Sequence, residues 1–194
     1  MVWYPRGIMG ELVLGVLAGG RGLRMGGRDK SRMSAPDTGE ALAARIVRLA
    51  SGLGMECAMI GGVPLAGVPH LRDEPEGIGP IGGLCALLAH ARERSALALA
   101  CDLPHVTQAL LGRLASEKAD APVLCPRDPA TGKWQPLFAR YDSPRVLPVF
   151  RAAIDNGTRS MQTVFRALEV VELVLSLEER AALADWDAPS DLGV

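Results

Sequence analysis

Between Arg21 and Lys30 the chain carries four cations, Arg21, Arg24, Arg28 and Lys30, threaded among Gly19, Gly20, Gly22, Gly26 and Gly27. Glycine lets a backbone turn sharply and lets a ligand approach it closely. Converging backbone N–H groups with cations beside them are what a phosphate group requires, so this stretch reads as a phosphate loop for a nucleotide. A second residue with chemical potential is Asp102, in Cys101-Asp102-Leu103-Pro104. An aspartate there is a hard oxygen donor suited to Mg²⁺, and equally a turn former ahead of Leu-Pro. A third is Asp73, which precedes Glu74-Pro75-Glu76-Gly77-Ile78-Gly79-Pro80-Ile81-Gly82-Gly83. Glycines crowded at a helix start serve close packing of the helix on a sheet, or offer its free N–H groups to a ligand.

The elements that must position these residues follow from hydrophobic spacing. Leu12 to Leu17 is an apolar run short enough for one strand buried on both faces, and it feeds directly into the glycine-rich stretch. Leu42, Ile46, Leu49 and Leu53 recur at helical spacing, and a second strand is expected at Glu56 to Ile60. Ile81, Leu84, Cys85 and Leu88 make the next helical stripe, with Pro80 in its first turn. Ala96 to Ala100 reads as a buried strand with Asp102 just past its carboxyl end, where parallel sheets bind ligands. Thr107 can cap a helix carrying Leu110, Leu111 and Leu114, and Ala121 to Cys125 makes a further strand. Helices are expected over Pro144 to Asp155 and Ser160 to Leu168, divided by Asn156-Gly157, then a strand at Val170 to Val174 and a helix from Glu178. This alternation predicts an α/β fold of three layers around a doubly wound, mostly parallel sheet. Residues 1–10 carry no periodicity and read as an N-terminal extension, leaving 11–194 as one domain.

Composition narrows the function. Aromatics are only 4% of the 194 residues against 48% hydrophobic, so Leu, Ala and Val must fill the core. The net charge of −1 and the lack of a broad basic patch argue against an extended nucleic-acid surface. Cys57, Cys85, Cys101 and Cys125 lie in apolar segments without C-x-x-C spacing, and read as buried thiols of a reducing compartment. His70, His90 and His105 lack metal-ligand spacing, and no G-x-S-x-G occurs. Arg6, an apolar run and Ala18-Gly19 imitate a secretion signal, but Glu11 interrupts the run and cleavage there would discard the first strand. No segment reaches the roughly twenty apolar residues of a membrane span, so a cytoplasmic protein without membrane or nucleic-acid partners is expected.

Two familiar phosphate loops do not fit. Gly26 is followed by Gly27 rather than Lys, which breaks the G-x-x-x-x-G-K-[ST] pattern, and Met25 stands where the third glycine of G-x-G-x-x-G belongs. Leu17-Ala18-Gly19-Gly20, Arg24-Met25-Gly26 and Asp29-Lys30 instead resemble the signature L-A-G-G-x-x-x-R-M-G-x-D-K of the molybdenum cofactor guanylyltransferases, MobA-like nucleotidyltransferases with a Rossmann-like sheet. Gly27-Arg28 stands where that signature has one residue. Asp73 with Gly79-Pro80-Ile81-x-Gly83 resembles the family's acidic residue and G-P-L-x-G, and Cys101-Asp102-Leu103-Pro104 its C-D-x-P. Gln135-Pro136-Leu137-Phe138-Ala139-Arg140-Tyr141 resembles the family's strand that closes the acceptor side. Leu183 to Leu192 resembles F-x-N-x-N-T-P-x-D-L, with Asp185 and Asp187 in place of both asparagines. An amide donates and accepts, whereas an ionised carboxylate only accepts.

The resemblance implies transfer of GMP from GTP to the phosphate of molybdopterin, with release of pyrophosphate. It implies Mg²⁺ held by Asp102, with Asp185 as a candidate second ligand. Lys30 and Arg24 would neutralise the pyrophosphate, Gly19 and Gly20 would offer amides, and Leu17, Ala18 and Asp73 would lie on the nucleoside side. Molybdoenzyme chaperones are candidate partners. A molybdopterin cytidylyltransferase is the alternative within the same chemistry, although related cytidylyl enzymes carry L-A-A-G and N-K or P-K. A non-catalytic nucleotide-binding paralogue in cofactor handling is the alternative from another class.

Overall fold

Six consecutive buried residues, Leu12–Leu17, form β1, an interior strand of the sheet paired on both edges. The computed structural model describes residues 12–18 and 39–183. The expected extension at 1–10, the loop residues Gly19, Gly20, Arg24 and Lys30, and Asp185 and Asp187 lie outside them. From β1 the described chain continues through α1 (Leu42–Ser51), β2 (Glu56–Ile60), β3 (His70–Leu71), α2 (Pro80–Ala91), β4 (Ser95–Ala100) and α3 (Gln108–Ser116). It ends with β5 (Val123–Cys125), β6 (Phe138–Asp142), α4 (Ser143–Asp155), α5 (Met161–Phe165), β7 (Val170–Glu172) and α6 (Leu177–Ala182).

The seven strands form one sheet in the order β3-β2-β1-β4-β6-β5-β7. β6 runs antiparallel to both of its neighbours, and all other pairings are parallel. From β1 the chain winds through α1 to β2 on one side, and later through α2 to β4 on the other. The strand order therefore reverses between β1 and β4, and their carboxyl ends border the crevice where open α/β sheets bind ligands. Leu17 is in register with both Ile60 and Ala100, so three strand ends meet there.

Each sheet face is covered by helices, which gives the three layers. Alternate residues of one strand enter opposite cores, as the two-residue period of a strand requires. Leu14 and Val16 pack with Ile46 of α1 and Leu110, Leu111 and Leu114 of α3. Val13 and Leu17 pack with Ile81, Leu84 and Leu87 of α2 and Val146 and Phe150 of α4. Gly15 makes the second packing possible: a Cβ there would stand 2.5 Å from a Leu87 methyl and 2.7 Å from Ile60 Cδ1. All four cysteines are buried free thiols, and burial pushes that of Cys85 up to about 11.

Sequence patterning marks most boundaries. The Thr107 side chain accepts from the Leu110 N–H at 3.2 Å, closing the start of α3 as expected. Gly157, with φ 77°, ends α4 by donating to the Ile154 carbonyl at 2.8 Å. α5 is shorter than the expected Ser160 to Leu168 because Ala167 and Leu168 donate to the carbonyls of Val164 and Phe165, three residues back, which tightens the chain out of the α-helix. β3, a two-residue edge strand, falls in a passage whose glycines and prolines conceal it. Arg140 on β6 is almost wholly buried; it donates to the carbonyls of Leu114 (3.3 Å), Ala115 (2.8 Å) and Lys118, satisfying the carboxyl end of α3.

Candidate active site at the carboxyl edge of the sheet

The central strand ends are locked to one another by backbone bonds. The Ala18 N–H donates to the Ile60 carbonyl at 2.9 Å, and the Cys101 N–H donates to the Leu17 carbonyl at 3.1 Å. Leu17 and Ala18 are buried, so the chain reaches the start of Gly19 from a rigid base at the switch point.

Asp102 follows directly, one residue beyond the Cys101 bond, and is half-buried between the buried Cys101 and Leu103. Its loop is braced from below. Arg45 of α1, itself buried, donates from Nη1 to the Val106 carbonyl at 2.8 Å, and the Thr107 cap starts α3 immediately afterwards. A carboxylate is thereby fixed at the carboxyl end of β4 beside the end of β1. Arg45 was not legible as part of this arrangement: its bond spans 61 residues, and its position within α1 is the only sequence signal.

Asp73 reaches the same edge from the other side. It follows β3 and lies half-buried against the first turn of α2, where Glu74 N–H donates to the Gly82 carbonyl at 3.1 Å. A Cβ on Gly83 would meet Ile60 Cγ2 at 2.9 Å, Asp73 Oδ1 at 3.2 Å and Leu17 Cδ2 at 3.3 Å. A Cβ on Gly82 would stand 2.4 Å from the Pro75 carbonyl oxygen. Both glycines are therefore present for close packing, and that packing brings the Asp73 carboxylate next to Leu17. Burial, with the charge of Glu76 added, holds the Asp73 carboxyl above the usual carboxylate range. α2 begins with Gly79 at φ 80° and Pro80, without a side-chain cap; Pro80 has no N–H to satisfy, and the Gly82 N–H donates to the Gly79 carbonyl at 3.0 Å.

The arrangement gathers Leu17, Ala18, Asp73 and Asp102 around the ends of β1, β2 and β4. Among the described residues no three His, Cys, Asp or Glu side chains form a metal cage. A single carboxylate suits a Mg²⁺ ion that takes its other ligands from phosphates and water, the usual coordination of that ion in phosphate chemistry. Beyond β4, the hairpin from Pro126 to Leu137 rises from the same edge. The Ala100 N–H donates to its Leu137 carbonyl at 2.8 Å, which ties this wall to the strand that carries Asp102.

The switch point of the doubly wound α/β sheet thus carries two carboxylates and the start of α2 without a side-chain cap. The fold is shared with a molybdopterin-guanine dinucleotide biosynthesis protein A from Archaeoglobus fulgidus, at a TM-score of 0.76 and 23% identity over 93% of this chain and 95% of that one. It is shared too with a 2-C-methyl-D-erythritol 4-phosphate cytidylyltransferase from Thermus thermophilus, at a TM-score of 0.66 and 15% identity over 93% and 94% of the two chains. In sequence, the chain is 34% identical to a molybdenum cofactor guanylyltransferase of Pseudomonas putida strain GB-1, over 90% of this chain and 92% of that protein. It is also 34% identical to one of Pseudomonas fluorescens strain SBW25, over 90% and 88%. The chain belongs to the MobA-like NTP transferase domain family, whose model matches residues 14–172.

Proposed function

We propose that this protein is a molybdenum cofactor guanylyltransferase, moving GMP from GTP to the terminal phosphate of molybdopterin. A phosphate oxygen of the acceptor bonds to the α-phosphorus of GTP as the bond from that phosphorus to the pyrophosphate oxygen breaks. The acceptor is already an anionic nucleophile, so the protein needs no serine, cysteine or general base; alignment and charge stabilisation suffice. The observation that carries the reading is the placement of Asp102 and Asp73 on either side of the end of β1, in a chain alike to curated guanylyltransferases over nine-tenths of its length.

Asp102 would hold Mg²⁺, with Asp185 as the second candidate ligand. When bound, that ion neutralises phosphate charge during transfer. Asp73 would meet the nucleoside from the α2 side, and the backbone at Leu17 and Ala18 would border the base. Lys30 and Arg24 would balance the departing pyrophosphate, and the amides of Gly19 and Gly20 would line the phosphates. The hairpin beyond β4 then faces the acceptor.

Nucleotide-dependent thermal stabilisation tests the reading. At a hundredfold excess over Kd, a ligand stabilises by about 2.7 kcal/mol, which for a chain of this size raises Tm by about 5–10 °C. GTP with Mg²⁺ is expected to reach that range, and CTP or ATP at equal concentration to fall well short. Equal shifts for all three would remove the guanine assignment. A larger shift with CTP would favour the cytidylyltransferase.

A further inference from the structure

The hairpin between β5 and β6 is fastened far more heavily than an antiparallel connection requires, since two residues suffice to join such strands. Arg127 and Trp134 face each other in an antiparallel bridge, and the Arg127 guanidinium carbon stands 3.7 Å from the centroid of the Trp134 ring. Gln162 of α5 grips the Trp134 backbone from both sides: the Trp134 N–H donates to Oε1 at 3.2 Å, and Nε2 donates to the Trp134 carbonyl at 2.7 Å. The indole packs on Phe165 with ring centroids 6.2 Å apart. The buried Tyr141 hydroxyl donates to the Pro136 carbonyl at 2.6 Å, and Asp128 accepts from the N–H groups of Ala130 and Thr131 at 2.8 and 2.9 Å. A guanidinium is thus held over an aromatic ring on a rigid mount.

Beside it stands Glu172, at the end of β7 and in register with Cys125 at the end of β5. Arg127 Nε and Glu172 Oε2 are 3.7 Å apart, too far for a hydrogen bond, and both side chains are close to half exposed. Arg127 Nη1 donates to the Gly132 carbonyl at 3.4 Å, and the other guanidinium N–H groups and the Glu172 carboxylate retain donor and acceptor capacity. β5 is parallel to β4 and separated from it only by β6, so Arg127 lies on the edge that carries Asp102, about 10 Å away across two strand spacings.

Resting on the function proposed above, we infer that Arg127 and Glu172 read the 2-amino-4-oxo edge of the acceptor's pterin ring. That edge presents a carbonyl oxygen, a ring N–H and an amino group side by side. A guanidinium donates to the oxygen while a carboxylate accepts from the two N–H groups, which is the chemistry this pair offers. A fused-ring head and its phosphate-bearing arm span the interval between the hairpin and Asp102. Guanine carries the same edge, so the two sources must be told apart by experiment.

The test uses the full-length protein, with Glu172→Gln and Arg127→Lys compared with wild type. Glu172→Gln keeps shape and removes the paired acceptor; Arg127→Lys keeps charge and removes the flat fork. Each is expected to raise KM for molybdopterin about tenfold, leaving kcat at saturation, KM for GTP and Tm near wild type, since both side chains are exposed. Unchanged KM for molybdopterin in both variants overturns the inference. A raised KM for GTP with that for molybdopterin unmoved also overturns it, and assigns the edge to guanine. Fluorescence titration with molybdopterin reads the same contact without turnover. If wild type transfers no GMP, the proposed function fails, yet a tenfold weaker Kd for molybdopterin in the variants supports this inference. Equal affinities, or none in wild type, overturn it.

Discussion

Replacing single glycines by alanine around α2 perturbs the site through packing alone, and the expected costs can be ranked from distances. At Gly82 the new methyl would stand 2.4 Å from the Pro75 carbonyl oxygen, 3.0 Å from Ile78 Cγ1 and 3.4 Å from Asp73 Cβ. The first of these is backbone, in the loop that carries Asp73, so the loop itself must retreat. At Gly83 the nearest atom is Ile60 Cγ2 at 2.9 Å, on a buried side chain, followed by the Asp73 carboxylate at 3.2 Å. At Gly52, the C-cap of α1 with φ −63°, the nearest atom is Nε2 of the exposed Gln108 at 2.8 Å, the far end of a side chain free to swing away. Overpacking costs about 1–3 kcal/mol or more, and alanine returns about 1 kcal/mol over glycine within a helix. Gly82→Ala should therefore lose about 2 kcal/mol or more, Gly83→Ala about 0–2 kcal/mol, and Gly52→Ala nothing, once that return is counted. For a protein of this length the first loss is a fall of about 4–8 °C in Tm. Thermal unfolding with and without GTP and Mg²⁺ is the assay, and Gly82→Ala should also lose much of the nucleotide-induced rise because Asp73 moves with its loop. If Gly82→Ala unfolds with wild type and keeps the full GTP response, the packing of this loop on α2 does not position the site as described.

Asp102→Asn replaces one carboxylate oxygen by an amide of the same shape, so it should keep its fold and unfolding midpoint while GMP transfer falls by at least a hundredfold, about 2.7 kcal/mol of transition-state stabilisation. Its GTP-induced Tm rise should become insensitive to Mg²⁺, and a variant that turns over normally would make Asp102 a turn residue only. Asp73→Asn should act in opposite directions on stability and binding. With its carboxyl raised in the folded state by burial and Glu76, the folded protein holds this proton more tightly than the unfolded chain does. The nucleotide-free protein consequently loses stability as pH rises from the ordinary carboxylate value through the raised one, and the asparagine variant lacks that loss. Tm measured from about pH 4 to about pH 7 should move in the variant's favour as pH rises, while its response to GTP shrinks; parallel curves would show that the carboxyl is not desolvated.

How much of this was legible in the sequence depends on the range of the interaction concerned. β1, β2 and β4 were visible because each is a short, largely apolar run bounded by turn residues, which suits a strand in a covered sheet. Asp102 was placed at a strand's carboxyl end by the same run, and the Thr107 cap and the Gly157 terminus are local chemistry. The direction of β6 was not legible, because Phe138–Asp142 reads the same in either orientation and only the hairpin before it reverses the chain. The braces were hidden for a related reason. Arg45 meets Val106 across 61 residues, Gln162 meets Trp134 across 28, and Arg140 is buried by carbonyls 22 to 26 residues away. A polar residue whose partner is backbone leaves no complementary side chain in the sequence to betray it.

The central claim, that this edge of the sheet joins GMP to molybdopterin, is tested most directly by following the product. The purified protein is incubated with Mg²⁺, molybdopterin and GTP labelled at the α-phosphate, and the label is traced by chromatography alongside release of pyrophosphate. The account predicts one molybdopterin guanine dinucleotide for each pyrophosphate released, little product from CTP, and almost none from Asp102→Asn. Absence of labelled dinucleotide with intact molybdopterin present, or equal product from CTP, would contradict it.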